Sequence, residues 1–364
     1  MRFLKQIALA LLCTASVQAF ATASLADNVL PQSVRDKVSG KLVLHDVSGG
    51  ALSRARDETT NKDFTAETGV PVTQDYNGDM TKFFAAMDGG ADIPWSVIEF
   101  PTQGDFMRAR DAGYLQKLDP AIVDSSKLEP GAFEEYGVHI MRYGIVLTYN
   151  TNTFPAGKEP TSLKDLYDLQ KFPGKRCMFK YPQFSAVLES ALLADGVARD
   201  QLYPLDLDRA FKKLDTIKSQ IVWWSNGDDA VRLIASGECS MGISWSGRAY
   251  SFVKKDKAPI GIVWQDSLYA QSVYAVPKGA PNPVAGQAYI AHFIGDVPGQ
   301  IALVREITYT TPLAGVPLSA YGDDMTPWIV AGDNAKKAIL ENADYYSKHI
   351  NEDVDRFNRW LALN

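Results

Sequence analysis

Histidine and cysteine are scarce in this chain, at four and three of 364 residues. The histidines, His45, His139, His292 and His349, are scattered, so neither a zinc site nor a nucleophile–imidazole pair is suggested. No HExxH, GxSxG or P-loop occurs, and no GxGxxG opens a helix. An enzyme is therefore not expected, nor is a resident metal or cofactor. His45 lies inside an apolar run and reads as a packed core histidine. Long basic runs are missing too, and the net charge is −6, which leaves no footprint for nucleic acid. Past the N-terminal segment no stretch reaches the uninterrupted apolar length of a membrane span. Internal repeats and low-complexity segments are absent.

What is present begins with MRFLKQIALALLCTASVQAFATASLA. Arg2 and Lys5 precede an apolar run from Ile7 to Leu12, and small residues follow. That order is a secretory signal peptide over residues 1–26, with cleavage expected after Ala26. Cys13 follows Leu12 where a lipid-attachment site has a small residue, so export to the periplasm without an anchor is expected. Removal of the signal leaves Cys177 and Cys239. An exported chain with two cysteines favours a disulfide, with two buried free thiols as the alternative. Each cysteine sits at or near the start of an apolar run, at 177–179 and 239–245. If those runs are neighbouring strands, the bond is geometrically possible.

Along the mature chain, short apolar runs alternate with helical patterns. Strands are expected at Leu42–Val47, Val70–Tyr76, Trp95–Phe100, Tyr143–Tyr149, Ile221–Trp224, 260–264 and 273–276. Helical spacing marks Asp79–Met87, capped by Asp79, then Phe106–Ala112, 162–170, 207–218, Asp228–Ser236, Val284–Ile294, Gly299–Ile307 and most of the tail from Ala335. Alternating strands and helices imply an α/β fold with largely parallel sheets. The length suits two lobes better than one core.

Ligands of open parallel sheets sit beyond the carboxyl ends of strands. The loops in that position are Ser48–Gly50, Phe100–Thr102, Tyr181–Ser185 and Trp245–Arg248. Ser48-Gly49-Gly50 reads either as a set of exposed backbone N–H groups for an anionic or polar group or as a plain turn. Gln183 reads as a site residue or as solvated, and Ser185 as a possible helix cap. The stretch GISWSGRAYSF at 242–252 leads a strand onto an indole, a glycine and a guanidinium. Trp245 offers a stacking face, Gly247 lets a ligand approach, and Arg248 offers a bidentate grip on a carboxylate. The alternative is that Arg248 pairs with a protein carboxylate across the cleft.

An ordered series of segments carries a resemblance. It runs from LVLHDVSGG and DFTAETGVPV through DAGYLQKLD, GIVLTYNTN, SLKDLYD and FPGKR. It continues with ASGECSMGISWSG, YAVPKGAPNP and TYTTPLA. The mature chain resembles the extracellular solute-binding proteins of ABC importers, and is most similar to the branch with spermidine/putrescine binders. The resemblance implies a two-lobed type II periplasmic binding fold hinged on two crossing strands. These would be Tyr143–Asn150 and a second near Gln271–Val276. One lobe would hold 42–146 and 273–316, the other 147–272 and 317–364. It also implies a small-molecule ligand, a permease at the inner membrane as partner, and a monomer.

On the polyamine pattern Trp245 and Tyr309 fall on family aromatic positions. The acids do not carry over: Gly49, Gln183, Ala186 and Ser272 stand where that pattern has carboxylates. Asp46 and Glu99 lie nearby but can face the core edge. An unpaired buried ammonium is costly, so a plain polyamine is disfavoured. Arg248 matches binders of amino-acid-like ligands such as γ-aminobutyrate, which place an Arg three residues after the Trp. The expected ligand is an amino-acid-like or opine-like carboxylate, with polyamine binding second and ferric ion, through Tyr345-Tyr346, a distant third. Site residues are expected at Ser48, Gly49, Phe100, Gln183, Trp245, Arg248, Gln271 and Tyr309.

Overall fold

The computed structural model describes residues 28–76 and 80–363. The signal peptide, its cleavage point and the helix cap at Asp79 lie outside the described residues. Among the described residues ten strands form one sheet: β1 Leu42–Asp46, β2 Val72–Tyr76, β3 Val97–Phe100, β4 Phe133–Glu134, β5 Gly137–Asn150, β6 Arg176–Phe179, β7 Ile221–Trp224, β8 Met241–Trp245, β9 Ile260–Ala275 and β10 Ile339–Leu340. The order is β2-β1-β3-β9-β5-β8-β6-β7, with β4 on β5 and β10 on β9.

Parallel pairing holds each end of the sheet together, β1 with β2 and β3 in one half, β6 with β7 and β8 in the other. The two central strands are antiparallel to each other and are the long ones, fourteen and sixteen residues. The far end of β9 pairs β3, Phe100 opposite Val273, while the far end of β5 pairs β8, Tyr149 opposite Met241. The chain thus passes between the halves twice, along β5 and β9. Nearly every residue of β5 is buried, which explains its almost unbroken apolar run.

Two differences from the sequence pattern have local causes. The strands expected at 260–264 and 273–276 are one strand. The register slips from Ile145↔Leu268 to Leu147↔Val263, so Trp264–Ser267 bulge, with Asp266 at φ 61°. The bulge accommodates the polar QDS that interrupts the apolar pattern. Asp266 there accepts a bond from Ser162 Oγ at 2.8 Å. The helix expected at 162–170 shrinks to a 3₁₀ turn, Leu163–Tyr167.

Helices Gly50–Glu58 and Thr60–Thr68 follow β1, and helix Ser246–Asp256 starts directly after Trp245. The Trp245–Arg248 segment, expected as a loop, is therefore a strand end and the first turn of a helix. Cys177 on β6 and Cys239 before β8 form the disulfide, Cα atoms 5.8 Å apart, in a core with Trp224, Ile234 and Ala249.

Candidate functional site

A cavity of about 710 Å³ lies between the halves, walled mostly by segments that follow the carboxyl ends of strands. From the first half come the turn after β1, Tyr76 at the end of β2, and Pro101 and Asp105 after β3. From the second come Phe179–Tyr181 and Phe184, then Ser225–Asp228 after β7, then Trp245 and Arg248 after β8. Tyr143, Ser272 and Tyr309 complete the wall.

The second half supplies an aromatic platform. Phe179 stacks on Trp224 at 4.5 Å, and Trp245 meets Phe179, Phe184 and Trp224 at 5.4–6.0 Å. The Trp245 indole N–H donates to the Phe184 carbonyl at 3.0 Å, which fixes the ring. Its other side lies close on Gly227, where a Cβ would sit 2.4 Å from the ring.

Arg248 is 7% exposed and spans the cavity. Nη1 donates to Asp228 Oδ1 at 3.0 Å, within the second half. Nη2 donates to the Ser48 carbonyl at 2.9 Å and to that of Gly49 at 3.5 Å, in the first half. Nε is buried without a partner. So Arg248 does pair with a protein carboxylate, but Asp228 is its neighbour on the same side, half exposed to solvent. Tyr309 closes the floor, its ring 5.5 Å from Tyr143. Burial pushes its phenol up to about 12, against the lowering influence of Arg248.

Ser48, Gly49, Trp245, Arg248 and Tyr309 therefore meet at one cavity. Three expected residues do not. Phe100 is fully buried between Phe83 and Phe106, because it faces the helical layer and Pro101 takes the wall. Gln271 bonds His139 on the opposite face; strand alternation gives the cavity to Ser272 instead. Gln183 is buried and donates to Thr102 Oγ1 at 2.8 Å across the junction of the halves.

Two roles also change. The N–H groups of Ser48 and Gly49 do not face the cavity: both donate to Asp46 Oδ1, at 2.8 and 3.2 Å. The turn presents carbonyls to Arg248 instead. Gly247 makes room for protein, since a Cβ there would lie 2.1 Å from the Ile307 carbonyl and 2.6 Å from the Tyr309 ring. Tyr345 and Tyr346 donate to Asp353 and Glu189 and lie outside the cavity lining. Sequence reasoning missed Tyr76, 60% exposed over Gly49, and the acids Asp57, Asp105 and Asp228. The position of Tyr76 at a strand's carboxyl end was the available signal.

The anion-friendly part of the cavity is the second half. Helices Gly227–Ala235 and Ser246–Asp256 both begin at the wall, and Arg248 lies in the first turn of the latter. In the first half the Asp46 carboxylate accepts from the two N–H groups that lead into helix Gly50–Glu58, those of Ser48 and Gly49.

Two sheet halves joined by two long crossing strands, with a cavity at the strand ends of both, define a two-lobed solute-binding fold. The chain belongs to the bacterial extracellular solute-binding protein family, whose pattern matches residues 60–329. It is 32% identical over 321 residues to the γ-aminobutyric acid-binding protein of Pseudomonas aeruginosa, covering 86% of this chain and 89% of that one. A solved GABA receptor structure superposes with a TM-score of 0.79 at 32% identity, covering 89% of this chain and 98% of that one. An ABC transporter substrate-binding protein of Bradyrhizobium japonicum USDA 110 gives 0.78 at 29% identity, covering 89% and 100%. The family is one of transport proteins rather than enzymes.

Proposed function

We propose that this chain is the periplasmic substrate-binding component of an ABC importer that captures an amino-acid-like or opine-like carboxylate. The single observation behind this is Arg248, a nearly buried guanidinium with its Nε unpartnered, set beside the Trp245 face in the cavity wall. The ligand carboxylate takes Arg248, and Trp245 stacks on the ligand's body. Asp57 and Asp105 line the first half, where an ammonium group would meet them. That division of charge suits a zwitterion, and it agrees with the name of the Pseudomonas relative.

The lobes in this reading are 42–146 with 273–316 and 147–272 with 317–364. Residues 1–26 direct export, and the protein acts as a monomeric carrier, not an enzyme, delivering to a permease. Ser48, Gly49, Trp245, Arg248 and Tyr309 are the ligand-facing residues. The test is calorimetry of wild type and Arg248→Ala with γ-aminobutyrate, its amide and putrescine. Wild type is expected to prefer the carboxylate. Truncating one partner of a buried charge pair costs about 3–5 kcal/mol, or roughly two to four decades of affinity. Wild type binding putrescine more tightly than any carboxylate overturns the reading.

A further inference from the structure

Behind the Ser48–Gly49 turn lies a buried ion cluster that the ligand reading does not use. The register of β1 and β3 sets His45 opposite Ile98, so the next residues, Asp46 and Glu99, come side by side. Two carboxylates on adjacent strands repel unless a cation lies between them. Arg56 is that cation. Nη1 and Nη2 grip Glu99 at 2.8 and 2.5 Å, and Nη1 reaches Asp46 at 3.3 Å. All three side chains are at most 1% exposed. Arg56 and Ser53 stand one turn apart on helix Gly50–Glu58, and both reach back to Asp46. Asp46 itself lines the cavity, and Glu99 accepts from the hydroxyl of Ser48, which also lines it.

We propose that Arg56 is a positioning residue that sets the charge preference of the cavity. It acts as an internal counter-ion, taking up the two carboxylates that would otherwise draw a cationic ligand into the first half. The same contacts hold Asp46 and Glu99 in place to orient the Ser48–Gly49 turn, whose carbonyls meet Arg248. Diacid and guanidinium together mimic a filled ammonium site. A ligand amine finds Asp46 and Glu99 already occupied, so the first half does not compete with Arg248 for the orientation of the ligand. The inference rests on the carboxylate reading only for its second half. The suppressed cation site stands on the cluster alone.

The experiment is calorimetry with γ-aminobutyrate and putrescine on wild type, Arg56→Lys, Arg56→Met and the charge-balanced Arg56→Met/Glu99→Gln. Thermal unfolding of each variant checks that it is folded. Arg56→Met is expected to tighten putrescine at least tenfold relative to γ-aminobutyrate, and Arg56→Lys to stay near the wild-type ratio. The double variant keeps Asp46 at the wall without its cation and shifts the ratio the same way. It decides the matter where the single variant does not fold. A folded double or single variant in which both affinities fall by one factor overturns the proposal and makes Arg56 merely structural. If wild type binds no γ-aminobutyrate, the carboxylate reading fails by itself. The putrescine arm still decides, and a folded variant that gains no putrescine binding refutes the counter-ion role.

Discussion

His45 makes a measurable link between pH and stability. Its ring is fully buried on β1, edge-on to Trp95 at 4.8 Å, and neither ring nitrogen has a hydrogen-bond partner. Burial lowers its pKa from 6.5 to about 4, overcoming the raising influence of Asp75 and Asp46. The folded chain therefore keeps His45 neutral at pH values where the unfolded chain protonates it. Its contribution is complete above pH 6.5 and is lost as pH falls towards 4. At about 1.36 kcal/mol per pH unit the full window is worth roughly 3.4 kcal/mol, and by pH 4.5 about 2.5 kcal/mol has gone. His45→Leu keeps similar volume and removes the titrating group. Urea unfolding of both proteins at pH 7.5 and 4.5 measures the difference. Asp353, raised to about 6 by burial, acts in the opposite sense, so the comparison between variants is the readout, not the absolute slope. The leucine variant should also be no less stable at pH 7.5, because two unpaired ring nitrogens leave the core. Equal losses in the two proteins between the two pH values would falsify the assignment.

Three further outcomes are expected. Thiol labelling of the unfolded, unreduced protein should find no reactive thiol from Cys177 or Cys239; their bond closes 62 residues of chain, worth roughly 4 kcal/mol in the chain-entropy account. Gly247→Ala should lower stability by about 1–3 kcal/mol. It should also weaken ligand binding, since the new methyl meets the Ile307 carbonyl and pushes the helix that carries Arg248; unchanged melting and affinity would show that the contact yields freely. Small-angle scattering with saturating ligand should give a smaller radius of gyration than without it, and an identical curve for a confirmed ligand would count against hinge closure.

The residues whose place at the cavity was legible in the sequence are those whose position follows from local pattern. The apolar run of β8 ends at Trp245, and one turn later Arg248 reaches the same wall, so a short stretch carried both. Phe100 and Gln271 failed because a strand end or a crossing specifies a neighbourhood, while facing is decided by alternation and by what packs behind. One residue along in each case, Pro101 and Ser272 occupy the wall. The sequence left the Ser48-Gly49-Gly50 turn undecided between exposed N–H groups and a plain turn, because the partner of its N–H groups, Asp46, sits inside the preceding strand and reads there as part of a hydrophobic run. Arg56 was invisible for a related reason. Its helix, GALSRARDE, has no clean apolar stripe, and its purpose lies in a carboxylate 43 positions away. The joined strand β9 was hidden by its own bulge.

The crossing strands have a consequence for how the chain reaches this shape. β5 and β9 pair Asn150 with Ile260 and Val138 with Tyr274, residues more than a hundred positions apart. Closing so long a loop loses entropy before any pairing returns it, and non-local pairing slows folding. Neither half of the sheet can finish early, since each borrows one end of both strands. The nascent chain therefore stays open until its last third has been made, when β9 arrives to join what β5 began. The two halves are therefore drawn together in one late step, when β9 lies down beside β5 and supplies each half with the end it lacked.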